Sequence, residues 1–110
     1  MTKKYRSNKE IEWEIILATY ESKINEEDGL NITQIMRKAN LNYNRASYNL
    51  NQLTGPEGPM VKDDSTSLYT LSARGDSMME FFRSQEETLK KVGVYPFNKP
   101  VPKPKSKVEA

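Results

Sequence analysis

Two short apolar-patterned segments only three residues apart constrain this chain more than any other feature. The first, Thr33 to Ala39, puts Ile35, Met36 and Ala39 on one side, with Thr33 as its expected N-cap. The second begins at Asn42 as N-cap and runs to about Leu53, with Ala46, Leu50 and Leu53 in an i, i+4, i+7 series. Between them Asn40-Leu41-Asn42 makes a tight connection with one leucine to bury. Two short helices joined in this way form the pattern of a helix-turn-helix.

The flanking sequence extends the pattern. Upstream, a helix is expected from Asn8 to Ile24, with Asn8 as N-cap and Glu10, Glu12 and Glu14 where the helix dipole favours acids. Trp13, Ile16, Leu17, Tyr20 and Ile24 form one apolar stripe, and Ile11, Ile15 and Ala18 a second on roughly the opposite side. A helix apolar on two faces is either central in its domain or in contact with another chain. Glu26-Glu27-Asp28-Gly29 reads as a turn, and Leu30-Asn31-Ile32 as a stub of strand. Downstream, Thr54-Gly55-Pro56-Glu57-Gly58-Pro59 must end the third helix. Met60-Val61-Lys62 and Leu68-Tyr69-Thr70-Leu71 then flank a five-residue turn, Asp63 to Ser67, as a hairpin. Ser72 caps a final helix from Ala73 to Lys91, in which Met78, Phe82, Gln85, Leu89 and Val92 recur at the spacing of a coiled-coil seam. That seam spans only about two heptads. From Tyr95 the alternation of prolines and lysines reads as an extended, disordered tail. The expected organisation is a basic arm over 1–7, one domain over 8–92 and a tail over 93–110. The fold class is mainly α with a small β-hairpin: a winged helix-turn-helix whose C-terminal helix is available to pair in a dimer.

Composition narrows the function. The chain of 110 residues contains neither cysteine nor histidine. Disulfides, thiolate metal sites, the commonest general base and the commonest metal ligand are therefore absent. No glycine-rich phosphate loop and no converging carboxylate pair is visible, so an enzyme is not expected, and neither a metal nor a cofactor is implied. The longest strictly apolar run, Ile15 to Ala18, is far short of a membrane span, and no signal-peptide pattern follows Met1. A cytoplasmic protein without a membrane partner is expected.

The net charge is +2, but it is unevenly spread. Residues 1–9 carry Lys3, Lys4, Arg6 and Lys9 with no acid, and residues 99–110 carry four lysines against Glu109 alone. The body between is net acidic except for one acid-free window, Gly29 to Pro56, which holds Arg37, Lys38 and Arg45. On a helical wheel the third helix turns Asn44, Tyr48 and Asn51 away from its core side, with Ser47 on one flank and Arg45 and Gln52 on the other. Amide side chains pair bidentately with adenine and arginine with guanine or phosphate, so this face suits the major groove of double-stranded DNA. Arg37 and Lys38 would sit near the DNA backbone and set register. Asn44, Asn49 and Asn51 are poor helix formers, at a combined cost of about 1–2 kcal/mol, which favours a binding role over decoration. The hairpin turn, by contrast, offers Asp63 and Asp64 with only Lys62 nearby.

Ile35-Met36-Arg37-Lys38-Ala39-Asn40-Leu41-Asn42-Tyr43, followed by Leu50 and Leu53, resembles the archaeal winged-helix DNA-binding proteins of the small chromatin-protein 10a type. Leu68-Tyr69-Thr70-Leu71-Ser72-Ala73-Arg74-Gly75 resembles that family's strand leading into its final helix, and the likeness extends from about Lys9 to Phe82. Gly55-Pro56-Glu57-Gly58-Pro59 departs from it as an expanded connection, and the final helix is short for a long coiled coil. The resemblance implies a homodimeric DNA binder, nucleoid-associated if archaeal. It assigns Tyr43, Asn44, Arg45, Ser47, Tyr48, Asn51 and Gln52 to the recognition helix. If the final helices pair, Met78, Phe82, Gln85 and Leu89 line the interface; otherwise they pack on the first helix. The competing expectation is a winged-helix protein–protein interaction module that docks through the Ile11/Ile15/Ala18 stripe.

Overall fold

A computed structural model describes residues 6–92. Expectations for the arm before Arg6 and for the tail from residue 93 fall outside the described residues. The elements follow the expected order: α1 (Asn8–Ile24), α2 (Ile32–Ala39), α3 (Tyr43–Leu53), β1 (Met60–Asp63), β2 (Leu68–Leu71), α4 (Ala73–Ser84) and α5 (Glu86–Val92).

The first helix is the centre of the domain. It packs against α2, α3, α4 and β2, and both of its apolar stripes are used. Ile11, Ile15 and Ala18 are buried, while Trp13, Leu17 and Ile24 lie half-buried against the same core. Removing a fully buried side chain such as Ile15 would cost about 2–5 kcal/mol. The second stripe is therefore core, and it is not exposed for a partner.

Two helix starts differ from the sequence expectation by a residue or two. The N-cap of α1 is Ser7, not Asn8: the Ser7 hydroxyl accepts from the Glu10 N–H, and the Glu10 carboxylate accepts from the Ser7 N–H. The N-cap of α2 is Asn31, not Thr33, through the same reciprocal arrangement with Gln34. Each box satisfies two backbone donors at once, which a lone cap at Asn8 or Thr33 would not. Asn42 caps α3 and Ser72 caps α4, as expected.

The strands pair antiparallel with Met60 opposite Leu71 and Asp63 opposite Leu68. Strand β1 includes Asp63, so the loop is four residues, 64–67, rather than five. Leu30 adds a one-residue bridge on the other side of β2, exchanging both backbone hydrogen bonds with Tyr69 at 3.1 and 2.7 Å. This is what the expected strand stub amounts to. Gly29 just before it has φ +137°, and a Cβ there would lie 2.9 Å from the Thr70 methyl and from the Tyr69 carbonyl oxygen. Only glycine allows the connection to lie this close to β2.

The expected continuous final helix is interrupted at Gln85, which caps α4 with φ −104° and ψ 9° before α5 begins. Leu89 on α5 packs against the domain core, as do Met78 and Phe82 on α4. Phe82 meets the Trp13 ring edge-on, with centroids 5.1 Å apart. The break at Gln85 means that the expected seam does not lie along one straight helix. Gln85 itself is exposed.

Candidate nucleic-acid interface

The third helix presents its outward face through packing on the other side. Ala46, Leu50 and Leu53 are buried as expected. Asn49 joins them: it is fully buried, and its side-chain amide donates to the Arg45 carbonyl at 2.8 Å. Asn49 thus belongs to the core side and not with Asn44 and Asn51, a placement hidden in the sequence by its polar side chain. The 46, 49, 50, 53 spacing was the available signal.

Opposite this side lie Tyr43, Asn44, Arg45, Tyr48, Asn51 and Gln52, all exposed, with Ser47 half-buried at the edge. Tyr43 and Tyr48 keep more than half of their surface accessible, so each offers a ring face and a phenolic hydroxyl to solvent. The Asn42 side chain accepts from the Arg45 N–H at 2.8 Å and fixes the first turn from which Tyr43 and Asn44 project.

The angle of this helix is set from outside the motif. Asn40 closes α2 in the left-handed conformation, φ 56° and ψ 60°. Arg6 then forks across the turn, donating Nη1 to the Ala39 carbonyl at 2.7 Å and Nη2 to the Asn40 carbonyl at 2.8 Å, while Nη1 also pairs with Glu14. A cation at a helix C-terminus meets both the dipole and the unsatisfied carbonyls. Arg6 therefore ties the start of α1 to the α2–α3 turn. Its partners are 33 and 34 residues away, so sequence periodicity carried no sign of it.

Among the described residues, five cations outside the acid-free window are ion-paired, while Lys9, Lys62 and Lys91 outside it are not. Outside it, Arg6 faces Glu14, Lys23 faces Asp76, Arg74 faces Glu57, Arg83 faces Glu80 and Lys90 faces Glu86. Among the described residues, no ion pair engages Arg37, Lys38 or Arg45, and all three are exposed. Arg37 and Lys38 border an open groove of about 380 Å³ together with Gln34, Glu27 and Gly29. These cations are free to meet phosphates.

The hairpin is different. Asp63 Oδ1 accepts from both the backbone N–H and the hydroxyl of Ser65, each at 2.9 Å. The Ser65 backbone hydrogen bond first, and then its hydroxyl, hold the Asp63 carboxyl below the usual range. The tip of the wing thus carries a firmly ionised carboxylate, with Lys62 over the Tyr69 ring at 5.8 Å.

Among the described residues no group of acids could hold a metal ion, and no helix is long and apolar enough to cross a membrane. Comparison with curated proteins finds no match, and neither does comparison with solved structures. The family model for the winged helix-turn-helix matches residues 6–90, from the Arg6 fork to the second turn of α5. With most of its length matched, and with the helix order and hairpin described above, the chain belongs to the winged helix-turn-helix family.

Proposed function

We propose that this protein binds double-stranded DNA by laying α3 in the major groove, as a transcriptional regulator or chromatin-associated factor. DNA binding is the general use of the winged helix-turn-helix family. The observation that carries the reading here is the exposed face of α3. It combines side-chain amides, Arg45 and two tyrosines with no carboxylate, beside the unpaired Arg37 and Lys38 of α2. Asn44, Asn51 and Gln52 would read base edges, Arg45 guanine or phosphate, and Ser47, Tyr43 and Tyr48 the sugar-phosphate backbone. Arg37 and Lys38 would anchor the register. The basic arm and tail, 1–7 and 93–110, would add sequence-independent phosphate attraction. The test is a fluorescence-anisotropy titration of duplex DNA at two salt concentrations, with Arg45→Ala/Asn51→Ala beside the wild type. Binding that weakens with salt and falls in the double variant supports the reading; no binding by the folded wild type at low salt overturns it.

Pairing of two chains through their final helices is part of the proposal. Met78, Phe82 and Leu89 are partly engaged by their own core, so the contact would centre on the exposed Phe81 and Val92 beside them. Sedimentation of wild type against Phe81→Glu tests it: a dimer reduced to monomer supports the pairing, and a monomeric wild type at high concentration refutes it.

A further inference from the structure

Both ends of the chain are basic, and the fold ties the start of one of them to the helix-turn-helix. Arg6 lays its guanidinium on the Ala39 and Asn40 carbonyls at 2.7 and 2.8 Å, against the turn that leads into α3. Ser7 follows as the N-cap of α1, locked to Glu10 by the reciprocal capping bonds. The chain is thus held by side chain and backbone at the point where the arm begins. Lys4 and Lys3 stand two and three residues before Arg6, so their Cα atoms lie within about 7 and 11 Å of its own. Tyr43, three residues after Asn40, opens the exposed face of α3, and its Cα lies within about 11 Å of that of Asn40. The tail starts from a different place. Helix α5 ends at Val92, and Lys99, the first tail lysine, follows seven residues later, a span of up to about 25 Å.

Charge gives the tethered arm a partner. Arg37 and Lys38 occupy the last turn of α2, immediately before the turn that Arg6 holds, and both are exposed. No ion pair engages either among the described residues. Glu14, the acid beside the clamp, is engaged by Arg6, and residues 1–9 contain no acid. Lys3 and Lys4 therefore bring two further positive charges within reach of a turn that already carries two. Like charges gathered there repel one another, and a phosphate strand passing the start of α3 turns that repulsion into attraction.

We propose that Arg6 acts as a positioning residue for the arm, delivering Lys3 and Lys4 to DNA phosphates beside those met by Arg37 and Lys38. The arm is then a fixed part of the interface, whereas the tail supplies only general attraction. This rests on the DNA-binding reading, and its test separates the two. Duplex DNA is titrated by fluorescence anisotropy over a series of salt concentrations, always with the full chain. Lys3→Ala/Lys4→Ala is compared with Lys103→Ala/Lys105→Ala in the tail, which removes the same charge. A third variant inserts a flexible Gly/Ser segment between Tyr5 and Arg6, keeping every charge and the Arg6 fork but lowering the effective concentration of the lysines at the turn. Each phosphate contact contributes about 0.9 to the salt slope, so the arm pair should flatten it by nearly two and weaken binding roughly tenfold. The tail pair should change the slope by less than one contact, and the insertion should move affinity part of the way toward the arm pair. Melting temperatures should match the wild type, since Arg6 and everything after it are kept in the arm pair and the insertion. A loss in the arm pair no larger than in the tail pair, or an insertion without effect, would overturn the positioned arm while leaving α3 on DNA. Absence of binding by the folded wild type at low salt would remove the DNA-binding reading and the arm's role together.

Discussion

The outward face of α3 and the tip of the hairpin are both exposed and polar, yet their chemistry is opposite. The helix face is free of carboxylates, and its arginine is unpaired among the described residues. The hairpin tip ties its own aspartate into a turn and keeps it ionised. They also differ in how they are held. The helix stands on four buried side chains and on a turn clamped by Arg6, whereas the hairpin has two four-residue strands and a one-residue bridge at Leu30. On the proposed DNA-binding reading, the contrast becomes a division of labour in which the helix approaches a polyanion and the wing is kept off it. Winged-helix domains are often pictured with both elements on DNA, and this one has the charges for only one of them.

The sharpest way to break this comparison is Arg45→Ala/Asn51→Ala. Each base or phosphate contact is worth roughly 1–3 kcal/mol, so the pair should lose on the order of a hundredfold in DNA affinity. The melting temperature should barely move, since both side chains are exposed. Equal DNA affinity in the double variant would take α3 off the DNA and leave the comparison without its first half.

Arg6→Ala comes next. It removes a fork to two carbonyls and one carboxylate from a partly exposed site, at a cost of about 1–2 kcal/mol after solvent screening. Melting temperature and DNA affinity should fall together, because the α2–α3 turn sets the aim of α3. Arg6→Lys should recover only part of the loss, as a single ammonium cannot reproduce the planar fork. A full recovery by lysine would reduce Arg6 to a general positive charge.

How much of this contrast was legible in the sequence follows from how local each feature is. The helix-turn-helix, the Ser72 cap and the presence of the hairpin rest on neighbours a few residues apart and were readable from spacing and turn residues, although the turn is one residue shorter than expected. The caps of α1 and α2 were local too. Ser7-Asn8-Lys9-Glu10 and Asn31-Ile32-Thr33-Gln34 carry the capping-box spacing, and a good cap residue inside each box drew attention from it. The exposed α3 face was legible because its apolar partners repeat at helical spacing. Asn49 was marked only by its core-side spacing, against its polar side chain, and the Arg6 fork and the bend at Gln85 were not legible. Each depends on what the rest of the fold places beside it, and Ser84-Gln85 contains neither glycine nor proline to mark a break.

A charge reversal at the wing sharpens the comparison from the other side. Asp63→Asn/Asp64→Lys removes two negative charges and adds one positive at exposed positions. If the wing is held off DNA by charge alone, affinity should rise a few-fold, and the salt slope should steepen by about one phosphate contact. Unchanged affinity and slope would mean that the hairpin points away from DNA whatever its charge.

The smallest expected effect concerns acid. Asp63 has its carboxyl lowered from 3.8 in the folded chain by hydrogen bonds from Ser65. A lowered value means that these bonds stabilise the turn fully above pH 3.8, and that the contribution is lost as pH falls through the folded value. From neutral pH to about pH 4 the turn should therefore stay intact and the wing negative. The chain has no histidine to titrate in that interval either, so the contrast between helix and wing should be insensitive to mild acid. Following the Asp63 carboxyl carbon by NMR checks this: its midpoint should lie below 3.8 in the wild type. It should move back only part of the way in Ser65→Ala, because the backbone N–H of residue 65 still donates. A wild-type midpoint at or above 3.8 would mean that the turn does not hold the charge, and that the wing could be released toward DNA simply by lowering the pH.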